Sequence, residues 1–258
     1  MIQHNKGRVQ QQFRQHAQGY VTSQTHAQGY SLGRLVELVD PDPAWRVLDI
    51  ATGGGHTALA FAPLVDLVVA GDLTHEMLLA ARENITSRGV RSVAFCQMDA
   101  ENLPFAAGTF DCVTCRIAPH HFTDVPRFVR EAARVLRPGG LLAVADNLSS
   151  GEPKAARFYN DLEKLRDPSH HWAYSLDDWD TFFFSAGLGV IHKETFQKRI
   201  DFDEWAGRMG VTGDDLVRLR VLLLRAPDDR RAWLEPEQIG ARIVFKITEG
   251  IIIGRKAG

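Results

Sequence analysis

Apolar and polar positions along the middle of the chain follow two periods in turn, and this alternation predicts strands and helices in succession. Short apolar runs are typical of buried strands, and stretches with apolar residues on one face are typical of helices. The predicted strands are Arg46–Ile50, Leu67–Ala70, Ser92–Gln97, Asp111–Ile117 and Leu141–Ala145. The predicted helices between them are Thr57–Ala62, Thr74–Arg88 and Val125–Leu136. Strands that alternate with helices form βαβ units, so we expect a parallel sheet with right-handed crossovers.

The two ends of the chain depart from this rhythm. Residues 31–39 have one apolar helical face, which ends at Asp40. Residues 153–186 and 203–226 are mostly helical, and strand-like runs at 187–199 and 241–255 flank the second of these stretches. Two late strands joined by a helical insertion predict an antiparallel pair at the end of the sheet, with the insertion as a cap.

Composition narrows the class of protein further. The chain has 258 residues, 45% of them hydrophobic, and a formal net charge of −2 without a run of Lys and Arg, so we expect no nucleic-acid partner. We also expect no secretory signal and no membrane span, because no apolar run has the required length or place. An odd, low number of cysteines is typical of reduced thiols, which predicts a cytoplasmic protein. We separately expect either a monomer or a homodimer.

The pair Cys112 and Cys115 has the spacing of a metal-binding motif but lies on a predicted strand. Residues three apart on a strand point to opposite faces of the sheet, so the two thiols cannot share an ion. We therefore predict no metal site.

A glycine-rich loop follows the first predicted strand, in the stretch VLDIATGGGHTALA from Val47 to Ala60. Open α/β sheets bind ligands at the carboxyl ends of their strands, and glycine lets the backbone approach the ligand closely. The next helix then offers free N–H groups to an anion. Gly53 and Gly55 also fit a dinucleotide fingerprint, and a plain glycine-rich turn remains an alternative.

Two acidic residues end later strands at the same predicted edge. Asp72 ends the second strand and could accept the hydroxyls of a ribose, and Asp99 follows the third strand, where a carboxylate could take an amino group. Each could instead serve as a helix cap or a turn carboxylate.

The stretches VLDIATGGG, GDLTHEML, DAENLPFAAGTFD and VLRPGGLLAVAD together resemble the class I S-adenosylmethionine-dependent methyltransferases, and more closely their ubiquinone and menaquinone C-methyltransferase branch. The resemblance spans Tyr20 to Asp146 and implies a Rossmann-like sheet of seven strands, mostly parallel with the last strand antiparallel. It also implies S-adenosylmethionine as cofactor and a small-molecule acceptor. We expect an N-terminal helical flap over residues 1–40, a cofactor-binding core over 41–150, and cap helices with the terminal strand pair over 151–258 of the same domain.

The resemblance also implies which residues hold the cofactor. The flap would contribute Tyr20 and His26, the loop would bind the methionine part, and the residues after the second and third strands would bind the adenosine. The implied cofactor-binding residues are Tyr20, His26, Asp49, Ala51, Gly53, Gly55, Asp72, Leu73, Met77, Asp99, Ala100 and Arg116. Ala51 departs from the pattern of the family, which often has Gly at that position.

Catalysis is expected after the fourth strand, whose end faces the transferred methyl group in this fold. Arg116 ends that strand, and one of the adjacent His120 and His121 could act as a general base, since imidazole titrates near neutral pH. His170, in the stretch RDPSHH, could reach the acceptor pocket from the cap. We take His120, Arg116 and His170 as the catalytic candidates. Methyl transfer can also proceed by positioning alone, and the stretch around His170 could be a turn.

Two other functions remain open at this point. An NAD(P)-dependent oxidoreductase would use the same glycine-rich loop, but the chain lacks an evident Tyr-x-x-x-Lys pair and has a Pro-Gly-Gly turn before the fifth strand. The other alternative is a protein that binds S-adenosylmethionine without catalysis. The aromatic cap suggests a quinone-like, aromatic or apolar acceptor.

Overall fold

The structure is a computed structural model that describes residues 6–11, 14 and 29–258. Residues 6–11 are helical. The further helices are α1 (Tyr30–Val39), α2 (His56–Phe61), α3 (His75–Thr86), α4 (Val125–Val135), α5 (Pro153–Arg166), α6 (Leu176–Ser185), α7 (Phe202–Gly207), α8 (Gly213–Arg225) and α9 (Asp228–Arg231). The strands are β1 (Arg46–Ile50), β2 (Leu67–Asp72), β3 (Val93–Gln97), β4 (Phe110–Arg116), β5 (Leu136–Leu148), β6 (Leu188–Asp201), β7 (Glu237–Ile239) and β8 (Arg242–Lys256). A short 3₁₀ turn, Pro119–His121, follows β4.

One sheet joins all of these strands in the order β3-β2-β1-β4-β5-β8-β6, with β7 paired to β8. Strands β1 to β5 are parallel, and β8 lies antiparallel between β5 and β6. The predicted α/β class, the mostly parallel sheet and the late antiparallel strand are therefore confirmed.

The expected number of strands was wrong, because the described part of the chain forms eight strands rather than seven. The additional strand is β7, which pairs with the first residues of β8 at Gln238 and Ile243. It has only three residues, all exposed, and so short a run shows no hydrophobic period that a sequence pattern could reveal.

Three buried clusters hold the helices on the sheet. One cluster packs α4 and α6 on one face through residues such as Phe128 and Trp179, and a second packs α1 and α2 on the other face through Leu35 and Phe61. The third cluster lies under the late helices α5, α7 and α8, where Trp205 contacts the ring of Phe245 on β8 at a centroid distance of 5.1 Å. The helical insertion therefore packs on the outer half of the long strand pair, beside the carboxyl ends of β4 and β5.

Cys112 and Cys115 lie in different buried clusters on opposite faces of β4, as the strand geometry predicts. Both are free thiols. Among the residues that the structure describes, no helix combines the length and apolar character that crossing a bilayer requires.

Candidate active site

A cleft lies where the strand order reverses, between the carboxyl ends of β1 and β4. Open parallel sheets have their ligand crevice at this point, because the loops on either side of it turn to opposite faces. The empty space of the cleft is about 980 Å³, part of which is open to solvent. Its walls come from the loops after β1 to β4 and from the N-terminal residues Lys6 and Val9.

The loop after β1 reaches the cleft through left-handed backbone. Ala51, Gly53 and Gly55 have positive φ angles of 53°, 55° and 80°. Ala51 and Gly53 line the cleft. Gly55 instead faces α3, where a Cβ would come within 2.9 Å of Ile85 Cδ1. The sequence pattern therefore combines glycines with two functions, one at the cleft and one in helix packing.

Asp49 lies under this loop rather than in the wall of the cleft. Its carboxylate accepts hydrogen bonds from Thr52 Oγ1 at 2.6 Å and Thr114 Oγ1 at 2.8 Å. Burial raises the pKa of Asp49 to about 6, although both hydroxyls favour the charged form. The observed contacts fix the conformation of the loop, and a contact of Asp49 with a ligand's amino group stays a prediction.

Asp72 ends β2 and lines the cleft together with Leu73 and Met77, and the predicted binding of the cofactor by these residues is not tested by their position. The backbone N–H groups of Gly53 and Thr74 donate to its two carboxylate oxygens at 3.1 and 2.9 Å. Burial raises the pKa of Asp72 to about 6. The carboxylate is thus held in one orientation between two loops, with its environment favouring a partner that donates hydrogen bonds.

Asp99 and Ala100, after β3, also line the cleft. Lys6 of the N-terminal helix donates to Asp99 Oδ2 and to Glu101 Oε2, each at 2.6 Å. Although burial opposes its charge, these two hydrogen bonds raise the pKa of Lys6. Sequence reasoning missed Lys6 and Glu101, because a single Lys near a terminus and a Glu after Asp-Ala have no distinctive pattern.

Glu101 is a buried carboxylate that joins two parts of the cleft wall. Besides Lys6, it accepts hydrogen bonds from the backbone N–H of Thr123 at 2.7 Å and of Asp124 at 3.0 Å. Although burial opposes the charged form, the bonds from Lys6 and Thr123 lower the pKa of Glu101. The carboxylate therefore links the N-terminal helix to the loop that follows β4.

The described N-terminal residues lie over the part of the cleft next to β2 and α3. Gln10 donates to the carbonyl oxygen of Leu73 at 3.2 Å, and Arg14 pairs with Glu76 at 2.8 Å. The expected flap over residues 1–40 stays a prediction. Tyr20 and His26 lie outside the described residues.

Arg116, at the end of β4, lines the cleft, and its predicted catalytic and cofactor-binding roles stay predictions. Its Nε donates to Thr57 Oγ1 at 3.2 Å, which ties the strand end to the first turn of α2. Burial lowers the pKa of Arg116, while the carboxylates of Glu249 and Asp49 favour its charged form.

The histidines after β4 are placed differently from one another. His120 turns inward, where its Nδ1 lies 2.6 Å from Asp146 Oδ1, and its backbone N–H donates to Asp146 Oδ2 at 2.9 Å. Although burial opposes its charge, the carboxylate raises the pKa of His120. His121 lines the cleft, whereas His120 does not. The adjacent pair thus divides into a buried anchor and a cleft residue, and the sequence alone did not show which was which.

His170 lies behind the histidine pair. Its ring centre is 5.5 Å from that of His120, and its Nε2 lies 2.8 Å from the amide oxygen of Asn160. Burial holds the pKa of His170 well below its ordinary value. The RDPSHH stretch therefore packs against the turn after β4, and His170 reaches the cleft wall only through its neighbours.

Residues 48–144 match the family model described as "Methyltransferase domain". The chain is 37% identical over 219 residues to the uncharacterized methyltransferase YcgJ of Bacillus subtilis (strain 168), a match that covers 85% of this chain and 87% of that protein. The crystal structure of the YcgJ protein agrees with this fold at a TM-score of 0.84 and 36% identity, over 89% of this chain and 99% of that chain. The ubiquinone/menaquinone biosynthesis C-methyltransferase UbiE of Ectopseudomonas mendocina (strain ymp) is 38% identical over 129 residues, which is 48% of this chain and 50% of that protein.

Proposed function

Since this chain belongs to the class I S-adenosylmethionine-dependent methyltransferases, we propose that it transfers the methyl group of S-adenosylmethionine to a small-molecule acceptor. The observation that carries the proposal is the single cleft wall formed by Gly53, Asp72 and Asp99 at the point where the strand order reverses. Three separate βα loops contribute these residues. A plain glycine-rich turn would not require their convergence.

The residues present suit this cofactor. At Gly53 the wall is bare backbone with a positive φ angle, so a ligand can approach the chain closely there. Asp72 is held by two backbone N–H groups and can accept the hydroxyls of a ribose. Leu73 and Met77 supply an apolar surface for the adenine, and Asp99 can accept from its amino group. When bound, the cofactor supplies an activated methyl group on a positively charged sulfur.

The acceptor side of the cleft is bounded by Ile117, Ala118, His121 and Phe122. This wall is largely apolar, which supports an aromatic, quinone-like or other apolar acceptor. Of the catalytic candidates, Arg116 lies in the cleft wall. His120 and His170 lie behind the wall and pack against each other. We propose that these two histidines position the acceptor loop, because methyl transfer depends mainly on the alignment of the reacting atoms.

Calorimetry with S-adenosylhomocysteine tests the cofactor assignment, with NADH as the control ligand. We expect saturable binding of S-adenosylhomocysteine and none of NADH, and the reverse result would contradict the proposal. Transfer of a labelled methyl group to an extract of small metabolites then tests the activity. Intact binding without transfer to any fraction would favour a binding protein without catalysis.

We further propose that the enzyme works in the cytoplasm, as a monomer or homodimer. The free thiols of Cys96, Cys112 and Cys115 support a reducing compartment. Light scattering during size-exclusion chromatography measures the oligomeric state, and fractionation of the source cells measures the location.

A further inference from the structure

Lys6 is a charged residue in the wall of the cleft that has no part in the cofactor contacts proposed above. It lies on the N-terminal helix and lines the cleft together with Asp99 and Glu101. Its Nζ is 2.6 Å from Asp99 Oδ2 and 2.6 Å from Glu101 Oε2. The two carboxylates therefore hold the ammonium group just after β3, where the proposed function places the adenine of the cofactor.

The ammonium group of Lys6 has one proton more than these two contacts use. An ammonium carries three N–H donors. Within the part of the chain that the structure describes, its hydrogen-bond partners are Asp99 and Glu101. Because Lys6 lines the cleft and 25% of its side chain stays exposed, a ligand in the cleft can accept the third proton.

Asp99 likewise has room for a further partner. A carboxylate offers about four lone-pair positions to donors. One oxygen of Asp99 accepts from the backbone N–H of Glu101 at 2.9 Å, and the other accepts from Lys6. An amino group can therefore bind to Asp99 without displacing Lys6, so the two donors do not have to compete.

Lys6 Nζ and Asp99 Oδ2 form a neighbouring donor and acceptor in the wall of the cleft. Adenine has the complementary arrangement, since its amino group donates and the ring nitrogen beside it accepts. A carboxylate alone would accept equally well from the amino group of another base. The lysine therefore adds a requirement for the ring nitrogen that Asp99 by itself lacks.

We propose that Lys6 recognises the adenine ring of the cofactor by donating its third proton to the ring nitrogen beside the amino group that binds Asp99. This inference rests on the proposed function. Lys6 is then a residue that determines cofactor specificity, and Glu101 is the positioning residue that holds its ammonium group. Glu101 suits this role because it is buried and its other oxygen accepts from the backbone N–H groups of Thr123 and Asp124.

Two analogues of S-adenosylhomocysteine test the contact, one with 7-deazaadenine and one with 1-deazaadenine, because each lacks one ring nitrogen beside the amino group. Calorimetry measures their dissociation constants. We expect Lys6→Met to weaken binding of S-adenosylhomocysteine by about 10-fold, as for the loss of a hydrogen bond from a charged group. One analogue should bind the wild-type protein less tightly, and Lys6→Met should cause it little further loss, because the accepting nitrogen is already missing.

This comparison separates a direct contact from a structural effect of the substitution. If Lys6 only held the N-terminal helix in place, Lys6→Met would weaken all three ligands by the same factor, and the proposal would be wrong. Binding of S-adenosylhomocysteine that is unchanged or tighter in Lys6→Met would also overturn it, since Lys6 would then be idle or would compete with the amino group for Asp99.

Arg8→Met is the matched control, because Arg8 is an exposed cation on the same helix. It should leave the affinity for all three ligands unchanged, and a loss equal to that of Lys6→Met would assign the effect to net charge instead of the contact. In Glu101→Gln, the difference in affinity between S-adenosylhomocysteine and the sensitive analogue should shrink. A difference of full size would remove Glu101 from the positioning role.

The wild-type titrations separate this inference from the proposed function and need no variant to fold. If the wild-type protein does not bind S-adenosylhomocysteine, the proposed function fails. If it binds S-adenosylhomocysteine and both analogues with equal affinity, the proposed function stands and only the role of Lys6 fails.

Discussion

The two sides of the cleft are built in different ways. The cofactor side depends on backbone groups and carboxylates close to them in sequence: Asp72 accepts from Gly53 and Thr74, each within 19 residues of it. The acceptor side joins distant segments, since His121 meets Ser169 48 residues further along the chain. A common cofactor can be bound by a fixed local motif, whereas the acceptor side depends on contact between the loop after β4 and the segment between α5 and α6.

The largest loss of stability should follow from removing the Asp146 carboxylate, which holds the 3₁₀ turn Pro119–His121. We expect Asp146→Ala to lower the free energy of unfolding by about 3 kcal/mol, because His120 would stay buried without its partner. Denaturant unfolding measures this change. Asp66→Ala, which removes an exposed carboxylate, is the control and should change the free energy by less than about 0.5 kcal/mol. Equal changes in both variants would show that the 3₁₀ turn does not depend on the His120–Asp146 pair.

On the cofactor side, we expect Asp72→Ala to weaken binding of S-adenosylhomocysteine by about 10-fold to 100-fold, the range for a hydrogen bond to a charged group. Calorimetry measures the dissociation constant. His120→Ala should do the opposite, lowering the maximal rate of transfer while leaving that constant nearly unchanged. An Asp72 variant with the affinity of the wild-type protein would refute the assignment to the ribose.

Replacement of glycine should measure how much packing against α3 restricts Gly55 in the Gly-rich loop. Gly55→Ala should lower the free energy of unfolding by about 1 to 3 kcal/mol, since the new Cβ meets Ile85 and the backbone keeps a positive φ angle. Gly139 has a similar φ angle of 77° but open space around it, so Gly139→Ala should cost less, about 1 kcal/mol. Thermal or denaturant unfolding of both variants measures the difference, which would vanish if packing against α3 did not matter.

A smaller effect concerns the pH dependence of cofactor binding. Burial raises the pKa of Asp72 to about 6, and the ionised carboxylate is the form that accepts hydroxyl groups most strongly. A proton therefore competes with the ligand, so affinity for S-adenosylhomocysteine should fall as the pH drops through about 6. Calorimetry across pH 5 to 8 should show this fall in the wild-type protein and a flatter profile in Asp72→Asn. The same slope in both proteins would assign the effect to another group.

The burial of Asp72 also affects stability, with the sign set by its raised pKa. The folded protein without ligand holds a proton on Asp72 up to a pKa of about 6, whereas the unfolded chain loses it near the ordinary pKa of 3.8. This contribution to stability is present below the lower pKa and is lost as the pH rises through the higher one. In Asp72→Asn, the free energy of unfolding should therefore no longer fall over this pH range, which denaturant unfolding at several pH values measures.

Much of the cofactor side could be predicted from the sequence because its information is local. The boundaries of β1 agree with its apolar run, and Ala51, Gly53, Asp72 and Asp99 all line the cleft, while their binding of the cofactor stays a prediction. Gly55 does not line the cleft but packs against α3. A glycine required for helix packing looks the same in a motif as one required for ligand access. Only the folded structure shows which glycine faces the cleft and which faces the helix.

The acceptor side could not be predicted in the same detail. His120 and His121 are adjacent and chemically identical, and their separation into an anchor and a cleft residue depends on Asp146 and Ser169, which tertiary packing brings to them. The contact of Asp167 with Ser169 likewise became visible only in the folded structure. The strand β7 could not be predicted for a different reason, because three exposed residues show no hydrophobic periodicity.

Glu101 connects the two sides of the cleft, so we expect their binding events to be interdependent. One oxygen accepts from Lys6 on the N-terminal helix, and the other accepts from the loop that carries His121 into the cleft. A ligand that pulls Lys6 away alters the charge that this carboxylate presents to Thr123 and Asp124. By thermodynamic reciprocity, whatever occupancy of the adenosine pocket does to affinity for the acceptor, the acceptor must do in equal measure to affinity for the cofactor. A single buried carboxylate thus provides a physical basis for cooperative rather than independent loading of the two substrates.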